Sequence, residues 1–133
     1  MRLFALCSLL LILCAPALSA APDAAQATAV LVVGEFEGHH AFGSGVIIGI
    51  HAGLRIATAG HVGVLTNAKV ITQAGEELSV TSVHFIPGYD LALLQTAPTR
   101  MMYAAARRAE RVTRNQAVDV WGYGAWSVPR RLA

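Results

Sequence analysis

Two residues have the type and setting for proton-transfer chemistry. His61 closes the run Leu54-Arg55-Ile56-Ala57-Thr58-Ala59-Gly60-His61-Val62, a short apolar strand that passes into small residues. Thr58-Ala59-Gly60 leaves the imidazole uncrowded at a strand end, where a partner can reach it. Asp90 follows Pro87-Gly88-Tyr89 and opens the apolar run Leu91-Ala92-Leu93-Leu94. A carboxylate at the start of a buried-type strand is costly unless a donor meets it. Each residue has a plainer reading. A lone histidine beside an apolar run is commonly structural or superficial, and an aspartate after a turn commonly bonds its own backbone.

Metal binding is the rival chemistry, because His39, His40, His51, His61 and His84 are many histidines for one short chain. Adjacent strand residues point to opposite faces, so His39-His40 is a poor chelate, and neither a His-Glu-x-x-His motif nor a cysteine pair is present. No metal and no cofactor is expected. His39, His40, His51 and His84 read as exposed loop and strand residues.

The elements that would position His61 and Asp90 are short strands. Thr28 to Val33 is β-branched and closed by Gly34, with Glu35-Phe36-Glu37 continuing toward Gly38. Val46-Ile47-Ile48-Gly49-Ile50 and Leu54 to Thr58 flank His51-Ala52-Gly53 and form a hairpin. Val62 to Leu65 is a helical turn or a loop. Ala68 to Thr72, Leu78 to Ile86, Leu91 to Leu94 and Ala117 to Trp121 complete the strands. Arg100 to Arg114 is rich in alanine and arginine, a composition whose propensity permits a helix. Short strands, glycine turns and no alternating helices predict an antiparallel all-β barrel or sandwich.

The 133 residues suffice for one domain of ordinary size. Met1-Arg2, the apolar run Leu3 to Leu13 and the small residues Ala15 to Ala21 read as a secretory signal peptide over 1-20. That run is shorter than the roughly 20 residues a spanning helix needs. Both cysteines, Cys7 and Cys14, fall in this leader, so the exported chain carries no disulfide. A secreted or periplasmic product is expected, with no membrane partner once the leader is removed. Residues 21-27 read as a flexible arm, 28-124 as the folded barrel and 125-133 as a truncated tail or the start of a linker.

The net charge of +2 is unevenly placed. From Ala21 to Thr99, Arg55 and Lys69 stand against six carboxylates, whereas from Arg100 onward seven arginines face only Glu110 and Asp119. Such a basic end could meet an anionic surface, but it lacks interleaved aromatics and any nucleic-acid motif, so no nucleic acid partner is expected.

Gly43-Ser44-Gly45-Val46-Ile47-Ile48, then Ile56-Ala57-Thr58-Ala59-Gly60-His61-Val62, then Tyr89-Asp90-Leu91-Ala92-Leu93-Leu94 resemble, in order, the N-terminal half of trypsin-like (chymotrypsin-fold) serine proteases. Val118 to Gly124 is similar to that family's later strand ending in Gly-Tyr-Gly, so the resemblance spans Thr28 to Gly124. It implies a six-stranded antiparallel β-barrel, the first of two. It also implies that His61 is the general base of a catalytic triad and Asp90 the residue that orients it. The family often has a cysteine after the histidine, where Val62 stands here.

The third triad member would be a serine in Gly-Asp-Ser-Gly or a close variant, and that motif is absent. Ser127 follows Asp90 but has no glycine beside it, and Ser44 precedes the histidine in a segment that the family uses as a barrel strand. Neither is expected to be the nucleophile. The resemblance therefore implies an exported serine endopeptidase, present as a truncated half, with a polypeptide substrate only if a second barrel completes it. Such a half exposes the face that its second barrel would cover and is expected to self-associate. The alternative is a secreted β-barrel binding module that keeps the fold without catalysis.

Overall fold

The computed structural model describes residues 24–123 and 130–132. Met1–Ala20, expected as a signal peptide, and Ser127 lie outside the described residues.

Six antiparallel strands close into a barrel: β1 (Ala29–Phe36), β2 (His39–His51), β3 (Gly53–Thr58), β4 (Thr66–Ile71), β5 (Glu77–Phe85) and β6 (Ala92–Pro98), in the order β1-β2-β3-β6-β5-β4. The expected all-β barrel is therefore present. Closure leaves none of these six strands with an unpaired edge. Glu37 and Gly38, with φ of 49° and 78°, join β1 to β2 in the two-residue, positive-φ geometry that matches strand twist. β1 then pairs on its other side with β4, Val32 opposite Val70, which shuts the cylinder.

Alternation along the strands decides what faces inward. Val30 and Val32 on β1, Ile47 on β2, Leu54 and Ile56 on β3, Val70 on β4 and Leu94 on β6 are all but fully buried. In β5 the inward pattern starts with Leu78 but is interrupted by a bulge between Val80 and Ser82, beyond which Val83 and Phe85 are exposed.

Three segments differ from the sequence expectation. Ala24–Thr28, expected as loose arm and strand start, makes one helical turn (α1) held by the Thr28 hydroxyl donating to the Ala25 carbonyl at 2.8 Å. The strand expected over Ala117 to Trp121 is displaced to Val120–Gly122 (β7), which pairs with Arg130–Leu132 (β8).

Arg100 to Arg114 is not helical. The Thr99 hydroxyl reaches the Glu76 carboxylate at 2.8 and 3.0 Å, and the Tyr103 hydroxyl donates to the same carboxylate. The Ala106 amide donates to the Ile47 carbonyl at 2.7 Å, and Tyr103 and Ala105 pack against the core. These tertiary anchors draw the chain along the barrel and override alanine's helix propensity. Burial, and then the hydrogen bond to Glu76, push the Tyr103 phenol up from its ordinary value.

Candidate active site

His61 stands on a single helical turn, Gly60–Gly63 (α2), which follows β3 directly. The Ala59 carbonyl caps the turn by accepting from the Val62 and Gly63 amides at 3.0 and 3.1 Å. Val62 and Gly63 are buried, and Val62 belongs to the barrel core. Burial of Val62 leaves its neighbour outside: the His61 side chain is 74% exposed.

Asp90 arrives from the connection between β5 and β6. Gly88, at φ 80°, lets the chain turn so that the Tyr89 amide donates to the Ile86 carbonyl at 3.3 Å. The Ile86 amide then donates to the Leu91 carbonyl at 2.9 Å and closes the base of the loop. Asp90 is held between these bonds and the start of β6.

The two residues meet through both oxygens of one carboxylate. Asp90 Oδ2 lies 2.7 Å from His61 Nδ1, and Asp90 Oδ1 accepts the His61 backbone amide at 2.8 Å. Two contacts to one residue fix the carboxylate plane as well as the ring, which a single bond would not. The plainer reading of Asp90, bonding its own turn, is not what these contacts show.

Gly60 makes the approach possible. A Cβ there would lie 2.7 Å from Asp90 Oδ1 and 3.2 Å from the Leu91 amide nitrogen. The seat that Gly60 provides was missed in the sequence, although a glycine directly before the histidine was the available signal.

The His61 side-chain hydrogen bond, followed by the His61 backbone amide, holds the Asp90 carboxyl below its ordinary value of 3.8. A carboxyl depressed on folding favours the folded state at pH above its unfolded value, and that contribution is lost as pH falls through the lowered folded value. Asp90 is well exposed, so the effect on stability is small. Its titration should nevertheless be visible: a ¹³C carboxyl titration of Asp90 is expected to give a midpoint below 3.8. A midpoint at or above that value would contradict the two-oxygen contact.

Ser44 has another task. Its hydroxyl accepts the Tyr123 amide at 2.6 Å and donates to the Tyr123 carbonyl at 3.0 Å, tying the end of β7 to β2. The Thr58 hydroxyl donates to the Ser44 carbonyl at 2.7 Å. His39, His40, His51 and His84 are exposed on β2 and β5, and no group of three metal-ligating side chains occurs among the described residues.

No family model matches this chain, and no curated protein matches it either. The site is therefore read from its own geometry. A neutral imidazole whose Nδ1–H is taken by a carboxylate presents Nε2 as an acceptor, and Nε2 has no protein partner among the described residues. The pair is equipped to take a proton from a hydroxyl brought against that nitrogen.

Proposed function

We propose that this chain is the first barrel of an exported trypsin-like serine endopeptidase, carrying its general base and the aspartate that orients it. The observation that carries the reading is the His61–Asp90 pair: both carboxylate oxygens are spent on one histidine, on a barrel surface, with Nε2 left to solvent. The order Gly43-Ser44-Gly45, His61, Asp90 supports it.

In the reaction so proposed, a serine hydroxyl supplied by polypeptide outside these residues gives its proton to His61 Nε2 as it attacks a peptide carbonyl. Asp90 stays ionised and stabilises the imidazolium. His61 then returns the proton to the leaving amine. The oxyanion donors and the pocket that reads the substrate belong to the same outside polypeptide. The 133 residues alone hydrolyse nothing in this scheme. A fluorophosphonate that labels activated serines is expected to leave them unmodified by intact mass, and an adduct on Ser44 or Ser127 would overturn the assignment.

The deciding experiment is to sequence the transcript and genomic DNA past codon 133 in all three frames. A Gly-Asp-Ser-Gly or Gly-Asn-Ser-Gly motif within about 100 codons, the size of one further small domain, is the expected result. Its absence would remove the protease reading. A secreted binding module would then stand, and the exported chain would be a cooperatively unfolding monomer. The protease half is expected to self-associate through exposed apolar residues such as Val64, Phe85, Tyr89 and Leu91.

A further inference from the structure

We propose that the segment from Arg107 to Asp119 is a cleavage site for an arginine-specific endopeptidase, which divides the chain into a six-strand barrel bearing His61 and Asp90 and a β7–β8 piece joined to it only by noncovalent contacts. The proposal does not depend on the protease reading of the barrel itself.

Every residue from Arg107 to Asp119 is exposed, including Val112 at 77% and Val118 at 73%. None lies in a helix or strand. From 107 to 112 neither backbone amides nor carbonyls meet a protein partner among the described residues, so they are solvated. Residues 113 to 116 form one locally bonded turn, in which the Gln116 amide donates to the Thr113 carbonyl at 3.3 Å and the Thr113 amide to Gln116 Oε1 at 3.2 Å. Endopeptidases bind several consecutive residues in extended form, and an exposed segment with solvated backbone supplies them without unfolding the domain.

The flanks are fixed. On one side the Ala106 amide is tied to the Ile47 carbonyl, and Tyr103 and Thr99 to Glu76. On the other, β7 pairs with β8 and Tyr123 is bonded through its backbone to Ser44. Within the segment Arg107, Arg108, Arg111 and Arg114 offer four scissile bonds, none followed by proline. Hydrolysis at any of them adds one water across one peptide bond, giving an arginine carboxylate and a new ammonium terminus. The closed barrel and the His61–Asp90 contact lie wholly on the N-terminal product.

The barrel carries its own controls. Arg55 and Lys69 have exposed side chains, but Arg55 is paired to Gly49 and Gln95, and Lys69 to Val33 and Ser79. Limiting trypsin on the exported chain is expected to cut after Arg107, Arg108, Arg111 or Arg114 at least about 100-fold faster than after Arg55 or Lys69, because the latter require the barrel to open. Comparable rates at all sites would overturn the proposal. The decisive arm is intact-mass analysis of the protein recovered from its native exported fraction: species ending at one of the four arginines are expected, whereas a chain continuous through Arg114 would contradict it. A variant with all four arginines changed to glutamine should accumulate uncut and trypsin-resistant at the segment. Cleavage of that variant at the same bonds would refute the role of arginine.

Discussion

Asp90→Asn is expected, on the proposed function, to lower kcat of the enzyme completed by a second barrel by about 10⁴-fold, the loss established for the equivalent change in the Ser-His-Asp template, with KM little altered. The two contacts of Asp90 explain why so isosteric a change costs so much. A carboxylate accepts at both oxygens, which here take the His61 backbone amide and the Nδ1 proton. An asparagine has one acceptor and one donor. If its oxygen faces the backbone amide, its NH₂ faces Nδ1 and selects the tautomer with the proton on Nε2, the nitrogen that must accept from serine. The opposite orientation would set its NH₂ against the His61 backbone amide, donor against donor, so the first is the one favoured. Steady-state kinetics on a peptide substrate checks the expectation, and a loss under about tenfold would mean that Asp90 does not orient the base.

Ile56→Ala is expected to destabilise the barrel by about 3 kcal/mol, within the range for large-to-small changes in cores. Ile56 is fully buried on β3, opposite Ile47 of β2 and Leu94 of β6, two other fully buried side chains. A Cβ at Gly45 would lie 2.6 Å from Ile56 Cγ2, so the isoleucine occupies the space the glycine leaves. Truncation opens a hole that neighbouring β-sheet backbone cannot close, since both flanking strands are held by ladder bonds. For a domain of this size Tm should fall by about 12–24 °C. Ile56→Val should lose about 1 kcal/mol. A small change on truncation to alanine, measured by thermal and urea unfolding, would show that this part of the barrel is not packed as described.

Local signals carried much of the architecture. Val30, Val32, Ile47, Leu54 and Ile56 lie in segments read as strands, and they form the core. The pair His61 and Asp90 was legible because each sits at the edge of an apolar run, where an unpartnered polar group is conspicuous. Strand order was not legible: β3 pairs with β6 and β1 with β4, contacts between distant segments that no local pattern encodes. The error at Arg100 to Arg114 has the same origin, because alanine propensity is local whereas the bonds to Glu76 and Ile47 are not. What two glycines leave room for was not legible either. The structure uses Gly45 and Gly60 for their missing Cβ, one beneath Ile56 and one beneath Asp90.

The most direct test of the His61–Asp90 pair is the tautomer of His61, read by long-range ¹H–¹⁵N correlation on the ¹⁵N-labelled protein at a pH where the ring is neutral. The geometry requires the proton on Nδ1 and an unprotonated Nε2, and requires that arrangement to be lost in Asp90→Asn. A His61 ring with its proton on Nε2, unchanged by the substitution, would contradict the general-base site.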